Sequence, residues 1–367
     1  MSRPDFKIRL ASPDIGEEEV EAIRAVLQSG VLTNGPLTHR FEEAFAVRHQ
    51  VEHAVAFANG TVALAAIYLA LGIGPGDEVI VPSMTFISSA TSVLHVGATP
   101  VFAEVLPDIF TLDPADVARR ITRKTRAILA VHYGGQPADL DELREAAGSA
   151  RVHLLEDAAQ AHGSSYHGRP VGGFGSAAMF SFTPTKNITT GEGGIVTTNE
   201  GELAERLRLL RNHGQTALYQ HASLGYNWRI TEMQAAMGVV QLRKLDTILA
   251  RKRANAKQLS PRLRNISGVT PPVEREDREH SFMLYTTLVK RRDAVERVLL
   301  DSGIEARLYF PPAHRQPVFA NYSASLPVTE YLSECMLSLP FHSRLGAHDL
   351  ELIADTMAAA LEKSNVS

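Results

Sequence analysis

The sequence predicts an α/β fold in which a mostly parallel sheet is covered by helices on both faces, followed by a smaller α+β domain. Two observations carry this prediction. Short apolar runs alternate with helical patterns through the first two thirds of the 367 residues, as repeated strand and helix units do. After about residue 245 the alternation gives way to a proline-punctuated loop and then to mixed strands and helices. We therefore expect a large domain over residues 1–244 and a small domain over residues 245–367.

The individual elements follow from apolar spacing and from the turn residues between the runs. The run 78–82, for example, follows the turn Gly74-Pro75-Gly76-Asp77 and is apolar enough to be buried on both faces. The predicted strands are 54–58, 78–82, 99–103, 125–131, 152–155, 177–182, 194–198, 282–289 and 306–310. The predicted helices are 17–28, 41–48, 62–71, 114–121, 140–147, 203–210, 231–259, 294–302 and 350–363.

Composition and charge argue against several classes of protein. The 37 Lys and Arg residues against 41 Asp and Glu give a net charge of −4 without a basic block, so nucleic acid is not an expected partner. The chain has no run of 18 apolar residues, so a membrane span is not expected. Its single cysteine, Cys335, cannot form an intramolecular disulfide or a cysteine zinc site, and a cytoplasmic location fits best.

Common nucleotide and metal motifs are missing from the sequence. It contains no GxxxxGK[ST] phosphate loop, and its glycine-rich strings 172–175 and 191–194 do not make a GxGxxG dinucleotide fingerprint. His49 and His53 are four residues apart, but Val51 and the following strand interrupt the helix, so we expect no metal site there.

Two charged residues at the ends of apolar strands are the first candidates for chemistry. Asp157 ends the run 152–157, at the edge of the sheet where open α/β proteins bind ligands, although a cap of a helix starting at Ala158 explains it equally well. Lys186 follows the next strand and precedes a glycine-rich turn. An amine nucleophile and an acid for a ring nitrogen are what pyridoxal 5'-phosphate (PLP) requires of a protein.

The cofactor's phosphate and ring need further groups. A strand, the turn Asn59-Gly60-Thr61 and a helix follow one another, which is an anion-binding arrangement because free amides at the helix start face the turn. Phe86, which follows the strand 78–82, is placed to stack on the ring.

At this point the residues resemble a known family, the nucleotide-sugar aminotransferases of the DegT type. The resemblance runs from about residue 15 to residue 243 and, more weakly, from 307 to 319. It implies PLP and the aspartate aminotransferase-like fold of PLP-dependent transferases. It rests on seven strings in the family's order: Asn59-Gly60-Thr61, Gly72-Ile73-Gly74-Pro75-Gly76-Asp77-Glu78-Val79, Pro82-Ser83-Met84-Thr85-Phe86, Glu156-Asp157-Ala158-Ala159-Gln160-Ala161, Ser181-Phe182-x-Pro184-x-Lys186-Asn187, Gly191-Glu192-Gly193-Gly194 and Gly225-Tyr226-Asn227-Trp228-Arg229.

The resemblance implies roles for individual residues. Lys186 would form the Schiff base with the cofactor and then move the proton, and Asp157 would pair with the pyridine nitrogen. Gln160 would lie on the side of the ring hydroxyl, and Phe86 would stack on the ring. The phosphate would be held by Gly60, Thr61 and Ser181 of the same chain and by Asn227 of a neighbouring subunit.

The remaining implications concern the partner and the substrate. The match of Asn227 implies a homodimer with a shared active site. Arg229 would offer a charge to a substrate anion, while its alternative interpretation is a surface cation. His314 matches a position near the sugar site.

Taken together, the resemblance implies a transaminase that moves an amino group from an amino acid, L-glutamate, to a keto sugar by a ping-pong mechanism. A lysine at position 186 favours transamination over the dehydration carried out by relatives with histidine there. The string 189–194 favours a nucleotide-linked 4-keto-6-deoxyhexose. The alternatives are a nucleotide 3-keto sugar, a cyclitol ketone (inosose), and a catalytically silent PLP-binding regulator.

Overall fold

The computed structural model describes residues 6–322 and 324–365, with side chains up to residue 362. Its helices are α1 (Glu17–Ser29), α2 (Pro36–His49), α3 (Gly60–Ala70), α4 (Ser88–His95), α5 (Pro114–Arg120), α6 (Leu140–Ala150), α7 (Gly201–Arg211), α8 (Glu232–Arg264), α9 (Arg292–Asp301), α10 (Pro327–Cys335) and α11 (Ala347–Asn365). Its strands are β1 (His53–Phe57), β2 (Glu78–Pro82), β3 (Thr99–Ala103), β4 (Thr125–Val131), β5 (His153–Asp157), β6 (Ser165–Tyr166), β7 (Arg169–Pro170), β8 (Ala177–Ser181), β9 (Gly194–Thr198), β10 (Gln215–Ala217), β11 (Gln220–His221), β12 (Val269–Thr270), β13 (Arg278–Glu279), β14 (Tyr285–Val289) and β15 (Met336–Leu339).

The centre of the molecule is a seven-stranded sheet in the order β1-β9-β8-β5-β4-β2-β3. Only β9 runs against its two neighbours, so six of the strands are parallel. The carboxyl ends of β2, β4, β5 and β8 therefore meet at one edge of the sheet, which is where open α/β sheets bind ligands. This confirms the predicted α/β fold with a mostly parallel sheet.

Helices cover both faces of this sheet, and the strand side chains alternate between two apolar layers. Ile80 of β2 belongs to the layer formed with α2, α6 and α8, whereas its neighbours Val79 and Val81 belong to the layer formed with α3, α4 and α7. Strands buried on both faces need apolar residues at successive positions, which explains the continuous apolar runs of the sequence.

The C-terminal part has its own small sheet, β12-β14-β15, with α9, α11 and the end of α8 packed around it. Helix α8 continues without a break through residues 244 and 245, so the predicted boundary falls inside it. The division into domains 1–244 and 245–367 stays a prediction.

Some predicted elements need correction. The prediction of a strand at 306–310 is wrong. Within this range only Arg307 pairs, through an isolated bridge to Ser338, and the following residues form a loop that runs toward the end of β2. Helix α4, helix α10 and strand β15 were not predicted. Helix α2 begins at Pro36 rather than 41, since proline suits the first helical position, whose amide has no helical partner.

None of the helices in the described ranges is both long enough and apolar enough to cross a membrane.

Candidate active site

Asp157 occupies the last position of β5, at the ligand-binding edge of the sheet, and it is buried. Its Oδ2 accepts a hydrogen bond of 2.6 Å from Ser89 Oγ, and its Oδ1 accepts one of 3.1 Å from the Ala159 amide. Burial raises the pKa of Asp157, while these hydrogen bonds and the charge of Lys186 work in the opposite direction. The chain turns after Asp157 without a helix, which removes the helix-cap interpretation and leaves a fixed carboxylate at the sheet edge.

Lys186 lies five residues after the end of β8, the strand beside β5. Lys186 is half-buried, and burial lowers its pKa to about 8, although the charges of Asp157 and Glu192 raise it. An amine with such a pKa is partly neutral near neutral pH, and only the neutral amine is a nucleophile. The structure thus brings Lys186 and Asp157 into one electrostatic environment.

The first turn of α3 forms the candidate phosphate cradle. Asn59 caps the helix by accepting a 3.0 Å hydrogen bond from the Val62 amide. Thr61 Oγ1 lies 2.8 Å from Ser88 Oγ, at the start of α4. Two hydroxyl groups therefore stand beside free helix amides, a donor set that suits a phosphate.

Gly60 allows this helix to approach β8 closely. A Cβ atom at position 60 would lie 3.1 Å from both Met179 Sδ and Ser181 Cβ, and 3.3 Å from Ser181 Oγ. The predicted phosphate ligands Gly60, Thr61 and Ser181 are thereby gathered around the start of one helix. Together with Asp157 and Lys186, these residues fit the phosphate, the ring nitrogen and the aldehyde of PLP.

Gln160 and Phe86 border the same edge of the sheet. Gln160 is buried, and its Oε1 accepts a 2.6 Å hydrogen bond from the Gly134 amide, which leaves its amide nitrogen to donate. Phe86 follows β2 and is 51% exposed, with its ring 5.5 Å from the ring of Phe310 at an angle of 65°. An exposed aromatic face at a ligand-binding edge is consistent with stacking on a planar ring.

Two of the predicted residues, Asn227 and Arg229, make their contacts elsewhere within the chain. The exposed Asn227 forms an isolated bridge with Asn212, and Arg229 Nη1 donates to Asn212 Oδ1 at 2.8 Å. The carbonyl of Trp228, between them, accepts a 2.9 Å hydrogen bond from the Ala58 amide just before the cradle.

The side chain of His314 contacts the loop after β2 and helix α10. Its Nδ1 lies 2.6 Å from Ser83 Oγ and its Nε2 lies 3.2 Å from Glu330 Oε1. Its side chain is 5% exposed, and a contact with substrate would have to replace one of these partners. The predicted substrate roles of Arg229 and His314 stay predictions.

Sequence reasoning missed a buried pair directly beside Asp157. Glu156 accepts hydrogen bonds from the amides of Gly172 and Phe174, both at 2.8 Å, and lies 3.1 Å from His132 Nε2. His132 Nδ1 accepts from the Ala138 amide at 3.1 Å, which leaves Nε2 as the ring nitrogen that faces Glu156. Although burial opposes it, this set of donors lowers the pKa of Glu156. Glu156 is therefore a structural anion that holds the loop between β7 and β8.

Sequence reasoning also missed Lys252, which contacts the residue next to Lys186. Lys252 of α8 donates a 2.8 Å hydrogen bond from Nζ to Oδ1 of Asn187, the residue after Lys186. The Asn187 amide nitrogen donates in turn to the Ser281 carbonyl at 3.0 Å. Burial lowers the pKa of Lys252 to about 7. No sequence motif marks Lys252, because its partners are remote in the chain.

Among the described residues, no group of three or more His, Cys, Asp or Glu side chains is arranged to hold a metal ion.

The fold and this site define a PLP-dependent aminotransferase, and comparison with known proteins gives the same class. The model of the DegT/DnrJ/EryC1/StrS aminotransferase family matches residues 13–358. The chain belongs to this family and is a sugar aminotransferase, as the resemblance of its motifs implied.

Individual relatives cover nearly the whole chain. A dTDP-3-amino-3,4,6-trideoxy-alpha-D-glucose transaminase from Streptomyces venezuelae is 42% identical, over 94% of this chain and 91% of the relative. A GDP-perosamine synthase from Caulobacter vibrioides is 39% identical, over 97% and 98%. The crystal structure of S. venezuelae DesV in complex with a ketimine intermediate superimposes with a TM-score of 0.91, at 42% identity and over 94% of each chain.

Proposed function

We propose that this chain transfers an amino group from L-glutamate to a nucleotide-linked keto sugar by a ping-pong mechanism, in an active site that two copies of the chain share. The observation that carries the transamination is that Lys186, an amine whose pKa is lowered to about 8, and the buried carboxylate of Asp157 follow neighbouring parallel strands and act on each other through their charges. When bound, PLP supplies an aldehyde that links covalently to an amine and a ring that withdraws electrons from the adjacent carbon.

The residues of the chain then have separate tasks. Asp157 holds a proton on the ring nitrogen, because two donors fix its carboxylate at the sheet edge. Lys186 is the candidate acid and base, since an amine whose pKa is lowered to about 8 can both take up and release a proton near neutral pH. Thr61 and the free amides at the start of α3 bind the phosphate and thereby orient the ring. The amino acid that gives the amino group and the keto sugar that receives it bind at this site in turn.

The first test concerns the cofactor lysine. The purified protein with added PLP should show visible absorbance of the bound cofactor and exchange amino groups with L-glutamate, and Lys186→Ala should lose both. Lys257→Ala, an exposed lysine of α8, is the matched control and should keep both. A Lys186→Ala variant with wild-type turnover would exclude the proposed role of Lys186. Cofactor absorbance without any amino transfer would favour the silent regulator instead.

The shared site is proposed because Asn227 is exposed, forms an isolated bridge with Asn212 in its own chain, and matches the family position that reaches the phosphate of a neighbouring subunit. Complementation tests it. Lys186→Ala and Asn227→Ala should each be impaired alone, whereas mixing them under conditions of subunit exchange should restore about one quarter of the sites, since half of the dimers are mixed and each has one intact site. No gain on mixing would contradict a site shared in this way.

The ring position of the ketone has two candidates. The string 189–194 favours C4, whereas the relative with 42% identity is named for a 3-amino sugar, and this much longer likeness leads us to place a 3-keto deoxyhexose first. The proposal would fail in this detail if NMR of the product showed the amine at C4, or if an inosose were aminated faster than either nucleotide sugar. A cytoplasmic location also stays part of the proposal, on the ground of the single, free Cys335.

A further inference from the structure

Two buried hydroxyl groups stand in line behind Asp157. Ser89, in the first turn of α4, lies with its Oγ 2.6 Å from Asp157 Oδ2. Thr85, in the loop after β2, lies with its Oγ1 2.7 Å from Ser89 Oγ. Ser89 is 1% exposed and Thr85 is 2% exposed, so water does not compete for these hydrogen bonds. The three side chains form one continuous hydrogen-bonded line.

The direction of the line follows from counting protons. An ionised carboxylate only accepts hydrogen bonds, so the single hydroxyl hydrogen of Ser89 is used in the hydrogen bond to Asp157. Ser89 Oγ then has only acceptor capacity left toward Thr85, and the Thr85 hydroxyl must be the donor. With Asp157 ionised, the order of donation is therefore Thr85 to Ser89 to Asp157.

The other groups that face Asp157 do not donate to its Oδ2. Tyr68 of α3 is buried, and its pKa is raised by burial and by the charge of Asp157. His132, after β4, contacts Glu156 through Nε2 and the Ala138 amide through Nδ1. Lys186 acts on Asp157 through its charge. Among the described residues, Ser89 is the side chain that donates a hydrogen bond to this carboxylate.

We propose that Ser89, oriented by Thr85, is a positioning residue that fixes the Asp157 carboxylate toward the cofactor's ring nitrogen and favours its ionised form. This inference rests on the proposed function. A hydrogen bond from a hydroxyl to a charged group is among the stronger ones in proteins, and its loss from a buried carboxylate leaves an acceptor unsatisfied. Both residues act through Asp157, which Ser89 contacts directly and Thr85 contacts through Ser89.

The test compares variants of the complete, PLP-loaded protein. Ser89→Ala should lower kcat of the glutamate half-reaction by about 10-fold to 100-fold, the range expected for one charge-assisted hydrogen bond, while KM changes by less than about 3-fold. Thr85→Val, nearly the same size, should give a smaller decrease of the same kind. Thr85→Ser keeps the hydroxyl and should restore wild-type values. Thr91→Ala, on the same helix, is the control.

A spectroscopic measurement separates this role from a merely structural one. If Asp157 holds the ring proton less firmly, the nitrogen that joins Lys186 to the cofactor becomes more basic. The pH midpoint of the bound cofactor's absorbance should then rise in Ser89→Ala and stay unchanged in Thr91→Ala, and the Kd for PLP should increase in parallel. An unchanged midpoint together with kcat within about 2-fold of wild type would overturn the inference. A wild-type protein that binds no PLP would overturn the proposed function as well, which distinguishes the two failures.

Discussion

Replacement of Lys252 by methionine should make the protein more stable near neutral pH, although it removes a hydrogen bond. Lys252 is 4% exposed, and its Nζ is bonded to Asn187 Oδ1 and lies 5.8 Å from the centre of the Phe341 ring. Burial lowers its pKa from 10.5 to about 7. The folded protein must therefore release a proton that the unfolded chain keeps, and this release costs free energy.

The size and sign of the effect follow from the two pKa values. Because the folded-state pKa lies below the unfolded one, the cost is greatest below pH 7 and vanishes above about pH 10.5. Proton linkage gives about 4 kcal/mol at pH 7 and about 2 kcal/mol at pH 9. Loss of the bond to Asn187 costs about 1 kcal/mol at either pH. Lys252→Met should thus exceed wild type by about 3 kcal/mol at pH 7 and by about 1 kcal/mol at pH 9.

Urea unfolding at several pH values measures this difference directly. Wild type, Lys252→Met and the exposed control Lys257→Met should be compared at identical PLP concentration, with the unfolding free energy taken at equal slope. Only Lys252→Met should lose its advantage as the pH rises from 7 to 9. An advantage that stays constant within about 0.5 kcal/mol would show that Lys252 is not neutral in the folded protein, and the reasoning would be refuted.

Two further substitutions probe the site's framework. Gly60→Ala places a Cβ 3.1 Å from Met179 Sδ and Ser181 Cβ, so we expect the protein to lose about 1–3 kcal/mol of stability and to bind PLP more weakly. Thermal unfolding and cofactor titration measure the two effects. An unchanged affinity for PLP would contradict the proposed cradle. Glu156→Gln turns an amide NH2 group toward groups that already donate hydrogen bonds, so the free energy of unfolding should fall by about 2–4 kcal/mol. A decrease below about 1 kcal/mol in urea unfolding would show that the charge of Glu156, next to His132, is dispensable.

The sequence was most informative where one residue type leaves few options. Strands β2, β3, β4 and β9 have the predicted bounds, because a strand buried on both faces needs an apolar run that ends at a turn. Lys186 and Asp157 were singled out because a charged residue at the end of such a run or shortly after it is unusual.

Helix α4 shows why other parts were missed. Its first residues, Ser88 and Ser89, favour turns and caps over helix interiors, so the local sequence does not indicate a helix. The helix forms because Ala90 and Val93 pack into the apolar layer against α3. Because α4 was not predicted, the contact between Ser89 and Asp157 was not predicted either. It depends on how α4 packs beside the end of β5, which the local sequence does not indicate.

The network of Lys252, Asn187 and Ser281 constrains how this protein can be recombined with its relatives. One way to recombine homologues is to exchange their C-terminal segments. A crossover at residues 244/245 would take Asn187 from one parent and Lys252 from the other, and would set the Ser281 carbonyl against a foreign amide. A hybrid that mismatches these positions would leave the buried amine of Lys252 without its acceptor at position 187, next to Lys186. Chimeras should therefore be chosen so that both parents carry the same residues at 187 and 252.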